Sequence, residues 1–172
     1  MRVFTIGHGT RALDELLESL ARAGVRTLVD VRRFPASRRN PQFNRDALSD
    51  ALAAAGIRYV HAETLGGRLS GEAGEEDFAC IAVPAFRSYA ARMRTPEWQA
   101  ALADALAAPD PCLMCAETPW WRCHRRLIAE LLVARGHDVF HILTPARVER
   151  HRQWDLAEYR GGTLYLCGSP VA

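Results

Sequence analysis

The chain contains no lysine: all 22 of its basic residues are arginine. That absence excludes Schiff-base chemistry, a phosphate-loop lysine and a lysine general base. The cation it does offer is the planar guanidinium, suited to forked recognition of phosphate or carboxylate and to stacking on rings. Also missing is any apolar run near the roughly 20 residues needed to cross a bilayer, so no membrane partner is expected. The stretch Met1 to Gly7 is too short and too quickly polar to read as a signal peptide. The glycine-rich dinucleotide fingerprint is absent too, since Gly7-His8-Gly9 is followed by no third glycine at the proper offset. A nicotinamide or flavin enzyme is therefore not expected, and no cofactor is. Five cysteines is an odd number, and without an export signal they read as reduced thiols rather than a disulfide framework. The expectation is a cytoplasmic protein, with oligomeric state open.

What is present alternates short apolar runs with longer amphipathic ones. Strands are predicted at Val3–Ile6, Thr27–Val31, Ile57–His61, Leu113–Ala116 and Val139–Leu143. Helices are predicted from Leu13 to a stop at Gly24, Asp46 to Ala55 before Gly56, Phe86 to about Ala108 with a break at Thr95-Pro96, and Arg122 to Arg135 before Gly136. A short helix is expected from about Ala146 to Trp154. This order means βαβ units: a single three-layer α/β domain over residues 1–172, with a mostly parallel sheet of about five strands and helices on both faces. The core is expected over about 3–155, with residues 65–84 as an irregular flap and 161–172 as a C-terminal tail.

In such a sheet the loops at the strands' carboxyl ends converge on one rim, where ligands bind. Those loops hold His8 and Arg11; Asp30, Arg32 and Arg33; Glu63 with Gly66 and Gly67; Cys115 and Glu117; and His141 with Thr144. The densest stretch runs from Cys112 to Arg126, where Cys115, Glu117, Trp120, Trp121, Arg122, Cys123, His124, Arg125 and Arg126 lie at a strand-to-helix handover. Residues 32 to 45 add Arg32, Arg33, Phe34, Arg38, Arg39 and Arg45, stiffened by Pro35 and Pro41. Forked cations interleaved with rings suit a phosphate backbone and stacked bases; the plain alternative is an exposed basic loop. Arg122 and Arg126, four apart on a helix, are placed to grip one anion together.

Several roles stay open on the residues alone. Asp30 is a general base, a hydroxyl acceptor or the partner that fixes an arginine. Cys123 is a small buried hydrophobe or a thiol activated by a helix's first turn. Trp120 and Trp121 are a core plug or a stacking platform. Cys112 and Cys115 fall three apart in one strand and so point to opposite faces, which argues against a zinc site built on both. A three-ligand site from Cys115, Cys123 and a distant histidine, and with it a divalent metal, stays open. A Cys115 nucleophile lacks the arginine spacing of known phosphatase and sulfurtransferase cradles.

Thr5-Ile6-Gly7-His8-Gly9, Asp30-Val31-Arg32 with Pro35 and Ser37, Phe43-Asn44, and Tyr59 with Leu65-Gly66-Gly67 carry a family resemblance. So do Cys115-Ala116-Glu117, Cys123-His124-Arg125, Gly136 and His141-Ile142. Over about residues 3 to 145 the chain resembles the family called domain of unknown function 488. The resemblance implies a bacterial or archaeal cytosolic α/β domain of unassigned activity.

The leading expectation is a protein that binds a nucleic acid or nucleotide phosphate in a cleft at the sheet's carboxyl edge. Arg11, Arg32, Arg33, Arg38, Arg39, Arg122, Arg125 and Arg126 would hold phosphate, and Trp120, Trp121 or Phe34 would stack a base. In a hydrolytic version Glu117 is the general acid/base, with Asp30 or His8 as its partner. Two rivals remain: an enzyme acting on a small anionic metabolite through Cys115 or Cys123 with His124, and a non-catalytic module docking an acidic partner.

Overall fold

The computed structural model describes residues 1–172. Five parallel strands, β1 (Arg2–Gly7), β2 (Thr27–Asp30), β3 (Arg58–His61), β4 (Pro111–Cys115) and β5 (Asp138–Thr144), are joined by an antiparallel edge strand, β6 (Arg147–Arg150). Their order is β3-β2-β4-β1-β5-β6. β2 and β4 are buried at every residue, as strands covered on both faces must be. Five helices flank the sheet: α1 (Leu13–Arg22), α2 (Arg45–Ala54), α3 (Pro84–Met93), α4 (Pro96–Ala107) and α5 (Arg125–Ala134).

Two apolar clusters divide between the faces. Leu16 and Leu20 of α1 and Leu48 and Leu52 of α2 pack on Ile6, Leu28 and Met114. Tyr89, Trp98, Leu102, Leu127, Ile128 and Leu131 from α3, α4 and α5 pack on Val3, Val29, Leu113 and Val139. The expected α/β architecture, mostly parallel with helices on both sides, is what forms. Cys112 falls in the first cluster and Cys115 in the second, on opposite faces as the strand alternation requires.

The connectivity positions the site. After β1 the chain leaves toward the face of α1, whereas after β4 it leaves toward the face of α5. β1 and β4 are neighbours, so their diverging exits open a crevice at the sheet's carboxyl edge, where the strand order reverses.

Four expectations are corrected. Residues 147–150 form strand β6 rather than a helix. A tight turn, in which the Ala146 N–H donates to Thr144 Oγ1 (3.3 Å), returns the chain along the open edge of β5; the unpaired edge outweighs local propensity. The helix expected from Arg122 is interrupted: Trp120–Arg122 is a single 3-10 turn and Cys123 is extended (φ −122°, ψ 153°), so α5 starts only at Arg125. Residues 161–172 are no tail. β7 (Ala157–Arg160), β8 (Thr163–Leu166) and β9 (Ser169–Pro170) make a small antiparallel sheet that buries Leu164, Leu166 and Val171 in the α5 cluster. Finally, Cys80 and Cys167 form a disulfide, leaving three free cysteines rather than five.

That bridge fastens the irregular 65–84 segment to the second sheet. Leu65, Leu69, Phe78 and Ile81 anchor it inward, and Glu72 and Asp77 pair with Arg92 and Arg94, each at 2.6 Å. No helix is long and apolar enough to cross a membrane.

Candidate functional site: an arginine cleft over a thiol pair

The crevice is a cleft of about 740 Å³, within the size range of small-ligand sites. Its walls come from the loops after β1 (His8, Gly9), β2 (Arg32 to Asn40) and β4 (Cys115 to His124), with Gly67 and Arg68 and the start of α3 opposite. Arg33, Arg38, Arg39 and Arg122 line it, exposed and outside every ion pair; the sole contact of note is the Arg33 guanidinium over the Phe34 ring at 5.5 Å. Arg68, unnoticed in the sequence, joins them from a left-handed backbone position (φ 62°). Glu117 is the one acidic residue on the walls. It is exposed, and its carboxylate accepts no hydrogen bond.

The other arginines are committed elsewhere. Arg32 is buried, forked onto Asp30 (Nε–Oδ1 2.8 Å, Nη2–Oδ2 2.5 Å) and donating to the Phe43 carbonyl. Asp30 also accepts from Tyr59 Oη (2.8 Å) and the Arg32 N–H (3.1 Å). Its acceptor sites are filled, so Asp30 is the fixer of an arginine and not a base. Arg11 clasps the His8 and Leu143 carbonyls and Glu15 behind β1. Arg126 lies over the Trp154 ring at 4.0 Å. The expected Arg122–Arg126 grip fails because the extended Cys123 breaks the i, i+4 register between them.

His8 lines the cleft as a neutral ring. Its Nδ1–H donates to the Gly9 carbonyl (2.9 Å), leaving Nε2 to accept from Arg32 Nη1 (3.2 Å), and Phe43 stacks on it at 4.4 Å. Burial, with the Arg32 charge, lowers its pKa to about 4 despite the Gly9 bond. Neither Asp30 nor His8 is therefore free to assist Glu117. Trp120 is the core plug: it stacks on His141 at 4.2 Å and 7° and is 7% exposed. Trp121 and Phe34 are exposed, but only Phe34 lines the cleft.

At the cleft floor Cys115 Sγ and Cys123 Sγ lie 2.7 Å apart. Cys115 Sγ accepts from Arg125 Nε (3.0 Å) and the Glu117 N–H (3.3 Å). Cys123 Sγ faces His124 Nδ1 (3.4 Å) and accepts from the Arg125 N–H (3.5 Å) at the start of α5. The His124 Nε2–H donates to the Val31 carbonyl (3.1 Å), which turns Nδ1 toward the thiol. Burial opposes ionisation of both sulfurs. At Cys123 the bond from Cys115, the His124 ring and Arg125 together outweigh it and hold the thiol well below its ordinary range; Cys115 is pushed well up. Cys112, on the other face, is pushed up by burial.

Close backbone approach builds this floor. A methyl group on Gly7 would lie 1.9 Å from the Glu117 carbonyl oxygen, and one on Gly67 would lie 2.7 Å from His124 Nδ1. No three histidine, cysteine or acidic side chains anywhere converge as a metal site.

A buried chain leads away from the thiols. Arg125 Nη1 donates to Thr5 Oγ1 (3.2 Å), Thr5 Oγ1 is hydrogen-bonded to His141 Nδ1 (2.7 Å), His141 Nε2 to His151 Nδ1 (2.9 Å), and His151 Nε2 donates to Glu130 Oε1 (3.0 Å). Only its ends have a fixed direction, because guanidinium can only donate and carboxylate only accept. Burial, His151 and Arg125 keep His141 neutral, far below its usual pKa. Thr5, Glu130 and His151 escaped the sequence reading. The usable signal was Glu130 itself, a carboxylate inside the apolar run Leu127-Ile128-Ala129-Glu130-Leu131-Leu132.

A second cavity, of about 610 Å³ beside β3 and α4, is lined by five alanines together with Arg58, His61, Glu63 and Asp104, and holds none of these groups. No curated protein and no solved structure matches the chain. A family model described as "Domain of unknown function DUF488" matches residues 12–132, which take in the arginine loop, both cleft thiols and Glu130 but not β1 or the second sheet. With more than half of its length matched, the chain belongs to the DUF488 family.

Proposed function

We propose that the protein binds a nucleic acid or nucleotide phosphate in the arginine cleft. The observation that carries this reading is the charge imbalance of the walls: five exposed, unpaired guanidiniums face a single carboxylate. Gathering like charges in one concavity is costly unless an anion fills it. Phe34, 60% exposed beside those cations, supplies a face on which a base can stack. The crevice between β1 and β4 is also the position where open α/β sheets take ligands. Glu117 has no partner for acid/base work, so binding is proposed and hydrolysis is not.

The test is fluorescence anisotropy of a labelled single-stranded oligonucleotide across a salt series, with an unlabelled mononucleotide as competitor. Affinity should fall with salt by about 0.7 in log–log slope per phosphate neutralised. Arg38→Ala with Arg39→Ala should flatten that slope by about 1.4, two contacts at the same increment. An unchanged slope would remove the loop from the account, and no binding at low salt would overturn the reading.

A further inference from the structure

Arg125 is 1% exposed, yet no carboxylate touches it. Its guanidinium donates to the Glu117 and Thr118 carbonyls, to Thr5 Oγ1 and to Cys115 Sγ. Glu130 is reached only through Thr5, His141 and His151. A buried cation demands a nearby anion, and the sole ionisable acceptors in contact with it are the paired sulfurs. One proton shared between two sulfurs supplies that anion. The backbone N–H groups of Glu117 and Arg125, one from each side, and the start of α5 favour the same charge.

A lone activated cysteine would need no second thiol. Two free thiols 2.7 Å apart at the floor of an open cleft are suited to two-electron chemistry, since a disulfide needs them only to close to about 2.05 Å. We propose that Cys123 and Cys115 form a redox-active dithiol that exchanges with small anionic disulfides drawn in by the cleft arginines. The dithiol assignment stands on the thiol geometry alone; the anionic character of the substrate rests on the reading of the cleft.

The steps balance. The Cys123 thiolate attacks one sulfur of R–S–S–R, forming Cys123–S–S–R and releasing RS⁻. Cys115 then attacks the Cys123 sulfur, and RSH leaves with the proton of Cys115. The protein gives up two electrons, the substrate disulfide is reduced to two thiols, and the product is a Cys115–Cys123 disulfide. Cys123 is the attacking sulfur because it lies beside His124 Nδ1 and under the Arg125 N–H at the start of α5, while Cys115, held by the Arg125 guanidinium, resolves.

The experiment treats the full chain with oxidised glutathione, an anionic disulfide, and in parallel with cystamine, a cationic one. Free thiols are blocked at intervals and the cysteine peptides are identified by mass spectrometry. The expected result is a Cys115–Cys123 bond formed at least about tenfold faster with glutathione disulfide, the low end of electrostatic steering. Cys115→Ser should trap glutathione on Cys123, and Cys112→Ser should leave the rate unchanged. Absence of a Cys115–Cys123 bond with both probes, in protein whose circular dichroism remains native, would overturn the dithiol. A bond formed equally fast with both probes would overturn the anionic substrate and count against the cleft reading, with the dithiol left standing.

Discussion

His8 and His141 show how burial fixes a side chain's chemistry. Each ring is neutral because its nitrogens are already engaged by groups that would oppose a second proton: Arg32 at His8, and His151 with Arg125 nearby at His141. When the chain unfolds, both imidazoles regain an ordinary pKa near 6.5. Between about pH 6.5 and 4 the unfolded chain therefore binds more protons than the folded one, so stability falls as the solution is acidified. Urea melts over that window should lose up to about 1.4 kcal/mol per pH unit for each ring. His8→Gln should make the profile shallower; an unaltered profile would mean His8 takes up no proton on unfolding. The same scale separates two kinds of arginine. Arg32 and Arg125 are structural because each guanidinium nitrogen has a partner inside, whereas Arg33, Arg38, Arg39, Arg68 and Arg122 have donors to give.

At the scale of elements, the site exists because β1, the β4 loop and α5 meet without side chains between them. Gly7 ends β1 against the Glu117 carbonyl, whose oxygen also accepts from Arg125. Gly7→Ala would force these apart, and overpacking of this kind costs about 1–3 kcal/mol. The expected outcome is a lower urea midpoint together with slower alkylation of Cys123, as Arg125 leaves the sulfurs. A stable variant with native thiol reactivity would show that the contact is not what seats Arg125. The extended residue Cys123 has a comparable role. By stopping the 3-10 turn before α5 begins, it points Arg122 at the cleft and Arg126 at Trp154, two fates that one continuous helix could not give.

Across the whole molecule, the second sheet is part of the domain's interior. Leu164, Leu166 and Val171 extend the α5 cluster, and Tyr159 and the Trp154 N–H complete the acceptor set of Glu130 at the end of the buried chain. The Cys80–Cys167 bridge closes a loop across 87 positions. Replacing both cysteines with alanine should cost about 2–4 kcal/mol in urea unfolding, and reducing agent should lower wild-type stability to the level of the double variant. Equal stability with and without the bridge would show that the segment's apolar anchors and its ion pairs to Arg92 and Arg94 hold it unaided.

The sequence by itself determined the α/β layering, because strand and helix periodicities are local properties of apolar spacing. It also placed the cleft, because strand-end loops in a parallel sheet must share one edge. Opposite faces for Cys112 and Cys115 followed from strand alternation in the same way. What only the tertiary structure decided were relations between distant residues. Pairing along an open edge turned 147–150 into a strand, and the 80–167 bridge needed two loops brought together. The division of eight arginines into free and committed depended on which carbonyls and carboxylates folding places beside them. The approach of Cys115 to Cys123 over a buried guanidinium was equally hidden, because a charge's partner is set by where the chain returns in space and not by its neighbours in sequence.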